Sequence, residues 1–73
     1  MFALVTANLR LPTLNRLYPK LIDILENNGI IVISGLKKDE LGTITEKYGP
    51  RFERKWAETE KDWAGAVFAK RGI

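Results

Sequence analysis

Neither cysteine nor histidine occurs among the 73 residues. Their absence excludes a disulfide, a thiolate nucleophile and a zinc site built on nitrogen and sulfur ligands. It equally excludes histidine general-base chemistry and a Ser-His-Asp triad. Long hydrophobic runs are missing too, since no segment approaches the roughly 20 apolar residues of a membrane span. The opening Met1-Phe2-Ala3-Leu4-Val5 lacks the basic leader and small-residue cleavage site of a signal peptide. The reading is cytoplasmic, with no membrane partner. The six glycines are scattered and form neither GxGxxG nor GxG. Charge of one sign is barely in excess: twelve basic against nine acidic side chains give +3, interspersed along the chain. That balance permits an anionic partner without arguing for one.

A chain with 45% hydrophobic and 29% charged residues has the balance of a folded domain rather than a disordered tail. It is a small one. A domain near this size buries only about 60% of the surface its unfolded chain exposes. Without disulfide or metal, oligomerisation or membership in something larger is the remaining means of support.

No repeat, low-complexity tract or linker interrupts the chain, which reads as alternating elements with short joints. Phe2 to Ala7 is an apolar run of strand formers, short enough to be buried on both faces. Pro12 suits the first turn of a helix, and Leu14, Leu17, Tyr18, Leu21, Ile22 and Leu25 form its apolar stripe. Pro19 lies inside that pattern and predicts a kink or a later start. Asn27-Asn28-Gly29 is the stop, with Gly29 in the left-handed position. Ile30-Ile31-Val32-Ile33 is the clearest strand and Ser34-Gly35 ends it. Leu41, Ile44 and Tyr48 mark a shorter helix closed by Gly49-Pro50. Phe52, Arg54 and Trp56 then alternate with Arg51, Glu53 and Lys55. A turn at Glu60-Lys61-Asp62 leads to a last strand, Trp63 to Ala69, completing a hairpin.

The order strand, helix, strand, helix, strand, strand predicts an α/β fold: a four-stranded mixed sheet, two parallel strands plus an antiparallel hairpin. Right-handed crossovers put both helices on one face. The opposite face is then bare, and the Phe2–Ala7 strand offers an apolar edge with no charge or proline to blunt it. Self-association through that face or that edge is the expected consequence. The pattern is half of a doubly wound, Rossmann-like sheet.

Three segments carry a family resemblance. Val5-Thr6-Ala7-Asn8-Leu9, the leucine-rich helix ending at Asn28-Gly29, and Ile31-Val32-Ile33-Ser34-Gly35-Leu36 resemble the C-terminal half of the ribosomal-protein methyltransferase family PrmA. Asp62-Trp63-Ala64-Gly65-Ala66-Val67-Phe68 is similar to the last strand of that class I fold, which inserts antiparallel into the sheet. The resemblance covers essentially the whole chain, so residues 1–73 read as a single partial domain. It implies S-adenosylmethionine as cofactor and a ribosomal protein as substrate of the intact enzyme. The family's glycine-rich cofactor loop and its N-terminal recognition domain have no counterpart here. The implied state of this chain alone is a fragment that binds no cofactor and methylates nothing.

Asn8 follows a buried strand at its C-terminal end, where open α/β sheets place their ligands. The resemblance implies that it lies beside the cofactor and the incoming amine, as both a catalytic and a cofactor-binding residue. A carboxamide oxygen accepts from an amine N–H without adding charge. Spacing alone favours Asn8 as the cap of the following turn, and the resemblance puts the site reading ahead. Leu9, Ser34 and Gly35 are the further candidates for the substrate cleft, and a tight strand-to-helix turn accounts for Ser34 and Gly35 as well. Asp39 and Glu40 read as first-turn acids favoured by the helix dipole. Trp56 and Trp63, flanked by Arg51, Arg54, Lys55 and Lys61, have the composition of a surface for single-stranded RNA. Tryptophans on adjacent strands are more commonly core or cross-strand partners, and Glu53, Glu58, Glu60 and Asp62 dilute the positive field. Nucleic-acid binding is therefore not the expectation. The alternative to a methyltransferase piece is a free-standing interaction module for RNA or protein, with no catalysis.

Overall fold

A computed structural model describes residues 2–72. Strand β1 (Phe2–Asn8) leads to helix α1 (Leu11–Ile24) and then strand β2 (Leu25–Lys37). Helix α2 (Glu40–Tyr48), strand β3 (Phe52–Glu60) and strand β4 (Trp63–Lys70) complete the chain. The sheet order is β1-β2-β4-β3, with β1 and β2 parallel and β4 antiparallel to both its neighbours. The α/β class, the mixed four-stranded sheet and the antiparallel insertion of the last strand are all as the sequence predicts. Because β4 enters between them, β2 and β3 run the same way without touching.

Strand alternation sorts the sheet into two unlike faces. Ile31, Ile33, Ala66, Phe68 and Phe52 are buried beneath the helices, together with Leu14 and Leu21 of α1 and Ile44 and Tyr48 of α2. Tyr48 sits at the centre of this layer. Its ring lies 4.7 Å from Tyr18, 5.4 Å from Phe52 and 5.6 Å from Phe68, and its hydroxyl donates to the Leu14 carbonyl at 3.0 Å. That bond ties α2 to α1. Burial pushes the Tyr48 phenol up to about 12, and the neighbouring Tyr18 adds to the shift. The other face carries Leu4, Thr6 and Asn8 of β1 beside Ile30, Val32 and Ser34 of β2, and no helix covers it.

Four local readings of the sequence need correction. Helix α1 starts at Leu11 and continues through Pro19 to Ile24, so the later start read from that proline is wrong. It ends at Ile24, and Leu25 already has extended geometry (φ −83°, ψ 134°) and begins β2. The left-handed residue of this junction is Asn28 (φ 67°) rather than Gly29. Gly29 is needed for room instead: a Cβ there would stand 2.7 Å from the Glu26 carbonyl oxygen. The fourth correction concerns the tryptophans. A register shift between Arg54 and Trp56 breaks the alternation of β3, so Arg54 reaches Thr45 on α2 while Trp56 turns to the uncovered face. Trp56 and Trp63 are 51% and 55% exposed, which makes them surface rather than core residues.

The end of α1 has an unusual partner. Lys70, only 8% exposed, donates its Nζ to the Ile22 carbonyl and, at 2.7 Å, to the Leu25 carbonyl. A cation suits that position, because the last carbonyls of a helix lack intrahelical donors and carry its negative end.

Candidate functional site

Parallel pairing sets Asn8, the last residue of β1, opposite Ser34 of β2, and β2 runs on past Ser34-Gly35 to Lys37 rather than ending there. Both side chains are exposed on the uncovered face. Gly35 follows with φ +81°, a conformation that favours glycine. A Cβ at Gly35 would fall on the Asn8 carboxamide oxygen. Glycine at this position thus serves two ends, since it permits the irregularity of β2 between Ile33 and Leu36 and it leaves the space in which the Asn8 amide rests. Asn8 does not cap α1, whose N-cap is Arg10 with no side-chain bond. Asn8, Ser34 and Gly35 therefore come together. Leu9 is next to them in sequence but is half-buried and packs against the core.

The loops that leave the two strands are tied to each other by Glu40. Its Oε1 accepts the Lys37 backbone N–H at 2.8 Å, and its carboxylate meets the Arg10 guanidinium at 3.4 Å and 3.5 Å. The Lys37 N–H holds the Glu40 carboxyl below the usual carboxylate range; burial opposes this, and Arg10 reinforces it. Reading Glu40 as a first-turn acid was correct as far as it went. The bond to Arg10, thirty residues away, has no signature in sequence.

The same edge of the sheet continues across the hairpin. Ser34 follows Ile33, whose partner is Ala66, and so stands beside Gly65, which in turn faces Glu58. Asn8, Ser34, Gly65 and Glu58 form one row across four strands. Over Gly65 lies a hollow of ≈ 230 Å³ walled by Trp56, Trp63, Glu58 and Glu60, with Ser34 on the side toward Asn8. On the far flank of Trp63 an open groove of ≈ 750 Å³ is lined by Lys37, Lys38, Asp39 and Asp62. Asn8 lines neither of them. Among the described residues no group of three or more His, Cys, Asp or Glu is placed to hold a metal ion. Nor is any helix there long and apolar enough to cross a membrane.

Comparison with known proteins gives this edge a context. The family model described as ribosomal protein L11 methyltransferase (PrmA) matches residues 1–71. The crystal structure of a ribosomal protein L11 methylase from Lactobacillus delbrueckii subsp. bulgaricus superposes with a TM-score of 0.87 over 96% of this chain, at 22% identity. At that identity the likeness is one of fold, and this chain spans 37% of the length of that protein. No curated protein matches.

Proposed function

The chain belongs to the ribosomal protein L11 methyltransferase (PrmA) family, and we propose that it is the C-terminal portion of the catalytic domain of an S-adenosylmethionine-dependent protein methyltransferase acting on a ribosomal protein. The observation that carries this reading is the seating of the Asn8 amide over Gly35, where β1 ends and its parallel pairing with β2 stops. Open α/β sheets bind their ligands at that edge. Ribosomal protein L11, named in the family's description, is the substrate we assign by analogy.

The residues present fit one wall of a site for this cofactor. Asn8 and Ser34 are neutral, and each offers an acceptor oxygen to an amine N–H without setting a carboxylate against it. Nothing in the sequence supplies the glycine-rich loop that holds the rest of the cofactor. S-adenosylmethionine supplies the methyl group. The part assigned to this chain is positional, with Asn8 accepting from the substrate amine so that the lone pair is directed, a contribution of the kind that positioning makes to catalysis. The isolated chain is inactive in this reading. It self-associates, because Leu4 at 59% and Phe2 at 57% exposure leave the uncovered face and the β1 edge apolar. A stable monomer in light scattering at micromolar concentration contradicts that last statement.

Calorimetric titration with S-adenosylhomocysteine tests the reading. Saturable binding that Asn8→Ala weakens supports it. A full site elsewhere in the chain is indicated if Asn8→Ala binds unchanged, and Asn8 then loses its role. The uncovered apolar face also favours a second reading, an interaction module without catalysis. Silence up to millimolar ligand is the outcome expected of a chain without the glycine-rich loop; it removes a cofactor contact from the isolated chain and leaves the family membership untouched.

A further inference from the structure

Asn8 and Gly35 touch, and from each of them the chain runs on for two residues before it meets the same carboxylate. From Asn8 the path leads through Leu9 to Arg10, and from Gly35 through Leu36 to Lys37. Glu40 holds both ends. Its Oε1 accepts the Lys37 N–H at 2.8 Å, and its two oxygens meet the Arg10 guanidinium at 3.4 Å and 3.5 Å. The residues between are anchored in the core, since Leu36 is fully buried and Leu9 packs against the same cluster. A closed ring results, with the Asn8 amide against the empty side of Gly35 at one point and a carboxylate across from it.

The start of a helix explains only half of this arrangement. A glutamate that reaches back three residues to a backbone N–H is one side of a capping box, and that accounts for the bond to Lys37. It leaves the bond to Arg10 unexplained, because Arg10 stands at the start of the other helix and its side chain caps nothing there. The Glu40 side chain is 15% exposed against 49% for Arg10, so the carboxylate is the fixed member and the guanidinium comes to it. Ionised partners make such bonds stronger than neutral ones. We infer that Glu40 is a positioning residue for Asn8: by gripping Arg10 and Lys37 together, it fixes how the end of β1 stands against Gly35 and so where the Asn8 carboxamide points. The inference rests on the proposed function, in which that carboxamide accepts from the substrate amine. Glu40 itself touches no substrate. A reacting group misplaced by about 1 Å can lose roughly a hundredfold in rate, so a clasp two residues from Asn8 is near enough to matter.

The test follows the Asn8 side-chain amide in the 73-residue chain labelled with nitrogen-15, without cofactor. In the wild type that amide is expected to give a nuclear Overhauser cross-peak to the Gly35 α protons. Glu40→Ala removes both bonds. It should displace the Asn8 signals, weaken the cross-peak and speed exchange of the Lys37 N–H roughly tenfold. Arg10→Met breaks only the link between the two segments, so the Asn8 signals should move while Lys37 exchange stays as in the wild type. Glu40→Gln keeps an acceptor for the Lys37 N–H and for the guanidinium, and should retain the cross-peak. Because both changes act through one clasp, Glu40→Ala with Arg10→Met should shift Asn8 no further than the larger single change. Additive shifts overturn the inference, since Arg10 and Glu40 would then act on Asn8 separately. An unmoved Asn8 amide in Glu40→Ala reduces Glu40 to a helix cap and overturns it outright. Arg10→Met still reads the link where Glu40→Ala loosens α2. Failure here leaves the proposed function standing, because the cofactor titration tests Asn8 with the ring intact, and failure of that titration leaves the ring as it is.

Discussion

Replacing Gly35 by alanine separates two effects that meet at one atom. At φ +81° an L-residue carries a steric penalty of about 1–2 kcal/mol, against which the loss of glycine's freedom in the unfolded chain returns roughly 0.4–1 kcal/mol. The net cost is about 1 kcal/mol. With a urea m-value near 1 kcal/mol/M, usual for a domain this small, the unfolding midpoint should fall by roughly 1 M. The new methyl also takes the place of the Asn8 carboxamide oxygen. That oxygen is the far end of an exposed side chain, so it swings aside at little cost. The stability loss in an Asn8→Ala background should therefore match that in the wild type within about 0.5 kcal/mol. The Asn8 side-chain amide signals, in contrast, should move well beyond those of any residue on β3. Urea melts of the four proteins in the cycle, with amide spectra of Gly35→Ala and wild type, provide the check. A coupling above about 1 kcal/mol would show that the Asn8 contact is itself structural. A neutral or stabilising Gly35→Ala, or an unmoved Asn8 amide, refutes the account of this site.

Three further outcomes can be measured by unfolding alone. Lys70→Met leaves the Ile22 and Leu25 carbonyls without their buried donor, and should destabilise by roughly 2 kcal/mol, whereas Lys70→Arg should recover part of the loss. Tyr48 keeps its proton to about pH 12 when folded but ionises near pH 10 when unfolded, so the unfolded state holds fewer protons between these values. Stability should therefore be flat up to about pH 10 and then fall by roughly 2 kcal/mol before levelling near pH 12; Tyr48→Phe should remove that slope, at the cost of the bond to Leu14. Pro19→Ala supplies a helical N–H where α1 has none, and a gain of at least about 1 kcal/mol in a urea melt is expected; no gain would mean that the packing of α1 already offsets the proline.

The elements of this protein were legible because their signals are local. A β-branched run at Ile30–Ile33, leucines at helical spacing and a polar turn before Trp63 each declare themselves within a few residues. That Asn8 and Ser34 stand side by side follows from the order of elements, since a strand–helix–strand unit pairs β1 and β2 parallel. The failures have physical causes. Leu25 continues the apolar stripe of α1 by spacing, yet pairing with Phe2 and burial at the start of β2 outweigh one more turn of helix. The two-residue period of β3 stops at the register shift after Arg54, and no residue type announces a bulge of that kind.

Composition and periodicity by themselves determined the class of fold, the unlike faces of the sheet, and the exclusion of thiol and histidine chemistry from these 73 residues. Tertiary structure alone decided which distant residues meet: Arg10 with Glu40, Lys70 with the end of α1, and the Asn8 amide with the empty side of Gly35. The division follows from range. Hydrophobic periodicity is written in neighbours three or four residues apart, while a site is assembled from strand ends that the sheet brings together only after it has formed.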